Sequence, residues 1–182
     1  RQLPAATPAA IADLVARGET GPRPLPEPEP CGLLQLQRVL SGECTAEQVI
    51  DELKAADLRG LGGAGFPAWR KWQTVRAQPG PRVGIVNIDE GEVGTFKDWQ
   101  VLTTGAPQVI EGVLIAAEVV GLEHVWLYLR DEYHDARALL QRELDRLQPR
   151  LAALRERFFH YRPPRLELRR GAGAYICGEE SA

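Results

Sequence analysis

The residues best suited to chemistry fall in three short strings: LRGLGGAGFPAWRKW (Leu58 to Trp72), IVNIDEGEVGTFKD (Ile85 to Asp98) and GAGAYICGEES (Gly171 to Ser181). Each joins glycines to a few charged groups at close spacing. Glycine allows the backbone to approach a flat or phosphorylated ligand and leaves N–H groups free to point at it. In the first string Gly60, Gly62, Gly63 and Gly65 fall within six positions, and Arg70 and Lys71 follow, able to neutralise phosphate charge. Phe66, Trp69 and Trp72 offer faces on which a planar ring can stack, Phe66 directly abutting the loop. The bland uses of the same residues are a mobile surface turn for the glycines and core packing for the rings.

The second string brings an amide and three carboxylates together at Asn87, Asp89, Glu90 and Glu92. Carboxylates do not hold phosphate. They accept hydrogen bonds from sugar or ribityl hydroxyls and from ring or carboxamide N–H groups, while Asn87 both donates and accepts. A metal is the rival use of these oxygens, but no histidine adjoins them and calcium-loop spacing is absent. A solvated acidic turn is the plain alternative. The third string offers another glycine turn followed by Glu179 and Glu180. His124, His134 and His160 lie in segments that read as strand and helix, with no Asp or Asn pattern to match, which argues against Cys177 as a hydrolytic nucleophile. Cys177 reads instead as a small buried residue beside a ligand. Asp131 to Tyr133 (DEY) reads as a helix start and not as a site.

GLGGAG satisfies the G-x-G-x-x-G spacing, and Asp89 follows about twenty residues on, as a dinucleotide site would have it. The context differs. That fingerprint needs a strand before the glycines and a helix opening on the last of them. Here a helix capped by Thr45 and Gln48 precedes, with Val49, Ile50, Leu53 and Ala56 on one face and a stop at Gly60, and Phe66-Pro67 follows. A different glycine loop is implied. Strands are expected over Arg82 to Asn87, after the QPGP turn, over Val125 to Leu129 and over Arg165 to Arg169. Helices are expected over Val109 to Val120, closed by Gly121, and over Tyr133 to Leu147, with Ala136, Leu140, Leu144 and Leu147 inward. Pro149 is expected to kink or end the latter, with Leu151 to Phe158 resuming it. Short helices fit Ile11 to Ala16 and Leu33 to Leu40, and the prolines of Gly21 to Pro30 make a linker. Residues 1–30 thus read as the end of an upstream module and a linker, and 31–182 as the ligand-binding part. Strands alternating with helices give an α/β fold with parallel pairing, in which ligands collect at loops between elements.

With 44% hydrophobic and 26% charged residues in a 182-residue chain, one domain with a real core is expected. The net charge of −3 with scattered basic residues gives nucleic acid no footprint. No apolar run approaches the roughly eighteen residues of a membrane helix, so a soluble protein is expected. The three cysteines form no CxxC pair, which excludes a disulfide framework and a metal motif here and fits the reducing cytoplasm. Opening on Arg1 and closing inside a glycine string, the chain reads as a piece of something longer.

GLGGAGFPAWRKW, NIDEGEVGTFKD, YLRDEY and GAGAYICGEES, in this order, closely resemble the flavin-binding, NADH-oxidising subunits of respiratory complex I (the 51 kDa subunit), NAD-reducing hydrogenases and NAD-dependent molybdenum formate dehydrogenases. The resemblance runs from about Thr45 to Ala182, and the LRDEY and ICGEES wording with a proline-rich linker looks most like the formate dehydrogenase β subunit. It implies a Rossmann-like FMN-binding domain, incomplete at its C-terminus. FMN would lie on Gly60, Gly62, Gly63, Gly65 and Lys71, with Asn87, Asp89 and Glu90 at its ribityl and ring, and Tyr175, Gly178, Glu179 and Glu180 closing the pocket. Phe66 and Glu92 match positions that contact NAD, toward adenine and carboxamide respectively. No side chain is implied as a catalytic acid or base, and no metal site. Iron–sulfur clusters are implied only in a missing C-terminal part or in partner subunits, alongside a molybdenum formate dehydrogenase or hydrogenase subunit. The sequence departs from the family pattern at Leu61, usually Arg, at Ile88 and Val93, usually Ala and Pro, at Trp99, commonly Arg, and at Thr74, an aromatic in some members.

Overall fold

The structure is a computed structural model that describes residues 7–17, 31–60 and 64–174. The proline linker Gly21 to Pro30, Leu61, Gly62 and Gly63 of the glycine loop, and Tyr175, Cys177, Gly178, Glu179 and Glu180 lie outside the described residues. Three parallel strands, β1 (Arg82–Ile88), β2 (Leu122–Leu129) and β3 (Arg165–Arg170), pair in the order β1-β2-β3. Each connection is one long helix, α5 (Lys97–Val120) from β1 to β2 and α6 (His134–Arg157) from β2 to β3. Before the sheet come α1 (Pro8–Ala16), α2 (Leu34–Leu40), α3 (Ala46–Ala55) and α4 (Ala68–Arg76). Among the described residues no helix is long and apolar enough to cross a membrane.

Alternation decides which face of the sheet is packed. Val125, Leu127 and Leu129 of β2 are buried together with Ile110, Leu114 and Ala117 of α5 and Ala136, Leu140 and Leu144 of α6. The two crossovers step in the same direction across the sheet, and both helices share a core with the same face of β2. The opposite face carries Val83 and Ile85, 53% and 69% exposed, in register with His124 and Trp126. Parallel sheets are ordinarily covered on both sides.

Several sequence expectations are corrected in detail. α5 starts at Lys97, well before Val109, because two helices join at Gly105 (φ −148°), just ahead of Pro107. A proline removes an N–H and clashes with the carbonyl four residues back, which makes the joint. α6 runs through Pro149 without ending, its buried stripe continuing over Leu147, Leu151 and Leu154. That apolar contact outweighs one lost backbone bond. α3 stops at Ala55 and not at Gly60, with Asp57 in the left-handed region (φ 46°), although the Thr45–Gln48 capping box forms as expected. A helix, α4, does open three residues past Gly65.

Glu111 explains how the amino-terminal segment is fastened. From within α5 its buried carboxylate accepts the N–H groups of Gln35 and Leu36, at 2.8 and 3.1 Å, and the Cys31 thiol. The start of α2 is thereby capped by another helix.

Candidate functional site

Because the strands are parallel, their carboxyl ends open on one side of the molecule, and three loops meet there: Asp89 to Phe96 after β1, Arg130 to Tyr133 after β2, and Gly171 onward after β3. In open α/β sheets this is the side on which ligands bind.

The β1 loop starts with Asn87, whose side-chain carbonyl accepts the Asp89 N–H at 3.0 Å and turns the chain. Two tighter turns follow, Gly91 N–H to the Asp89 carbonyl and Thr95 N–H to the Glu92 carbonyl, with Gly94 at φ 81°, where a side chain would be strained. Asn87 and Glu92 stand exposed, and Asp89 is half-buried. Glu90 turns the other way and is 6% exposed. Its carboxylate accepts the Asp98 N–H at 3.0 Å and the Trp99 N–H at 3.4 Å, capping α5, and the Tyr133 hydroxyl at 2.8 Å. Burial alone would push its carboxyl up. The Asp98 N–H, the Tyr133 hydroxyl and the further helix N–H groups outweigh that and hold it below the usual carboxylate range. Burial, then the same Glu90 contact, pushes the Tyr133 phenol up to about 12.

The β2 loop ties the others together. Arg130 donates to the main-chain carbonyl of Glu90 and to the Glu132 carboxylate. Asp131 pairs with Arg170 at the end of β3, which holds its carboxyl below the usual range. Gly171 lies so close to this loop that a Cβ there would meet the Leu129 carbonyl at 3.1 Å and the Asp131 nitrogen at 3.2 Å. Behind it the Ala172 N–H reaches the Tyr128 hydroxyl at 3.2 Å. Sequence reasoning missed this role, taking Asp131 to Tyr133 as a helix start. The available signal was their place at the carboxyl end of a strand, the same ground on which the NIDEGE string was singled out.

The glycine string is closed at its base by a bridge between Arg59 and Pro67, with Gly60 N–H to Phe66 carbonyl at 3.0 Å and Ala68 N–H to Leu58 carbonyl at 2.9 Å. Gly65 takes φ 58°, and its neighbour Phe66 is left 47% exposed. Lys71 and Arg70 are exposed at the start of α4, and Trp69 and Trp72 are half-buried, the first beneath the Lys54 ammonium. Trp72 and Val75 of α4 help line a mainly apolar groove of about 630 Å³ against Gly84 and Val86 of β1 and Val113 and Ala116 of α5. Among the described residues no group of three His, Cys, Asp or Glu could hold a metal.

The exposed Asn87 amide and Glu92 carboxylate with the half-buried Asp89, an exposed aromatic ring and basic groups beside a glycine turn suit a ligand with hydroxyls, a flat ring and phosphate. The family described as the Nuo51 FMN-binding domain matches residues 53–182. One NADH-quinone oxidoreductase subunit of Aquifex aeolicus is 35% identical over 151 residues, 83% of this chain and 35% of that protein. The alpha subunit of the NAD-reducing hydrogenase HoxS of Cupriavidus necator is 42% identical over 143 residues, 75% of this chain and 23% of its own length. A crystal structure of an NAD+-reducing [NiFe]-hydrogenase in the H2-reduced state superposes with a TM-score of 0.68 and 30% identity, covering 98% of this chain and 34% of that one. The chain thus spans about a third or less of the proteins it matches.

Proposed function

Because this chain belongs to the family of the Nuo51 FMN-binding domain, we propose that it is the flavin-holding part of an NAD(H)-linked oxidoreductase subunit. The observation that carries this reading is the meeting of the Asp89–Glu92, Arg130–Tyr133 and Gly171 loops at one end of a parallel sheet. FMN bound there would exchange hydride with a nicotinamide ring and release the electrons singly to iron–sulfur acceptors. The chain's own residues bind and orient. The Gly60–Gly65 loop and Lys71 take the phosphate end, Asn87 and Asp89 the ribityl chain and ring, and Tyr175, Gly178, Glu179 and Glu180 the remaining side. Phe66 and Glu92 face the nicotinamide nucleotide. Glu90, with its carboxylate engaged by α5 and Tyr133, serves the site by holding the loop and not by direct contact. No general acid or base is required, because holding two rings in register supplies the catalysis.

The assembly it serves is of the complex I or NAD-reducing hydrogenase type, with iron–sulfur partner subunits, as the names of its relatives suggest. A formate-linked molybdenum assembly, which the wording of two motifs favours, is the finer reading to be tested against it. A cytoplasmic setting belongs to the same proposal and is consistent with Cys31 and Cys44 being free thiols. The test is the visible spectrum and released flavin of the intact subunit, before and after anaerobic NADH. Bound FMN that bleaches is expected, and a protein that takes up no FMN would defeat the reading. Reduction of the same flavin by hydrogen, by formate or by neither then sorts the assemblies.

A further inference from the structure

The acidic loop that carries Asp89 and Glu92 is held in part from the loop that follows β2. Past Ile88, whose carbonyl takes the Arg130 N–H at 3.0 Å, its backbone makes short turns, closed by Asp89 and Glu92 carbonyls and the Asn87 side chain. A further long-range hold is at residue 90. There the carbonyl is gripped by Arg130 and the carboxylate by the Tyr133 hydroxyl, partners 40 and 43 positions away in sequence. The grip is itself braced from the far side, where Asp131 meets Arg170 and Gly171 packs against the same segment. We infer that Tyr133 is a positioning residue for nucleotide binding: by holding Glu90 it sets where Asp89 and Glu92, on either side of it, stand. This rests on the flavin and nucleotide reading above.

The physics is that of preorganisation. A hydrogen bond to a buried carboxylate is stronger than a neutral one, and the loop it holds would otherwise need to be ordered by the nucleotide itself. Removing the hydroxyl leaves Asp89 and Glu92 chemically intact but less well placed. The loss therefore falls on binding, with the chemical step spared once the rings are stacked.

The experiment compares Tyr133→Phe with the wild-type holoprotein, measuring NADH oxidation with a one-electron acceptor per bound FMN. The KM for NADH is expected to rise about tenfold, equivalent to about 1.4 kcal/mol, with kcat within about twofold. Glu90→Gln is expected to raise KM likewise, and the double variant to add little to Glu90→Gln alone, because the Tyr133 hydroxyl acts through the Glu90 carboxylate, which also caps α5. Tyr161→Phe is the matched control. Its hydroxyl is buried without a hydrogen-bond partner among the described residues, so its removal should move neither parameter. KM is independent of how much protein folds, so an unchanged KM in Tyr133→Phe overturns the inference even if the variant melts earlier. Additive effects in the double variant overturn it as well. A wild-type protein without NADH-bleachable flavin would remove the functional reading first, whereas an active one with an unaltered variant removes this inference alone.

Discussion

At the scale of the residue, two buried or half-buried glutamates respond to burial in opposite ways. Glu90 meets helix N–H groups and a phenol, and its carboxyl is held low; Glu118, on α5, meets mostly apolar surroundings that push its carboxyl up, opposed by His160. The signs follow from linkage. The unfolded chain protonates a glutamate near about 4.3, so the stability Glu90 contributes is present above that value and lost as pH falls through its lower folded value. For Glu118 the folded state keeps its proton longer, so stability is lost as pH rises through its raised value. Thermal unfolding at pH 7 should accordingly show Glu90→Gln destabilised by about 1–3 kcal/mol, as for hydrogen bonds to a charged group, and Glu118→Gln stabilised. Both differences should close on acidification; a Glu118→Gln effect that grows toward low pH would contradict the assignment.

At the scale of the element, local signals work where an element's ends are satisfied by its own neighbours. α3 is the clear instance, because Thr45 and Gln48 exchange hydrogen bonds at 3.2 and 2.8 Å within one turn. Thr45→Ala should lower stability by about 1 kcal/mol while leaving the KM for NADH unchanged, a separation that Tyr133→Phe should not show. α2 and α5 are the opposite case. The start of α2 is capped by Glu111 from α5, and that of α5 by Glu90 from the β1 loop, so neither boundary carries a short-range capping box. The first turns of α5 were missed in the sequence for this reason; in the structure Gly105 and Pro107 make a joint within the helix.

At the scale of the molecule, the sheet is two-sided in structure but, among the described residues, one-sided in packing. α5 and α6 cover one face, and Val83 and Ile85 lie open on the other. The two faces should therefore answer mutation differently. Leu127→Ala, on the packed face, should cost about 2–5 kcal/mol, and Ile85→Thr about 0.5 kcal/mol or less in chemical denaturation of this chain. A large loss at Ile85 would mean that the second face is covered in solution.

The sequence alone determined the strand–helix alternation, the parallel α/β class, the family and the motifs from which a site was expected, because period, turn chemistry and glycine spacing are short-range properties. It placed β1 and β3 to within a residue and the Thr45 cap outright. Only the tertiary structure decided which carboxylate is turned inward. Asp89, Glu90 and Glu92 are near-equivalent in the string NIDEGE, yet one is turned inward to cap a helix while the others remain at the strand ends. That division depends on Tyr133 and Arg130, which parallel pairing of β1 with β2 brings alongside from more than a strand and a helix away. Sequence spacing does not encode a contact made through a crossover, and so the loop after β2 was legible as a family motif and a helix start but not as a brace.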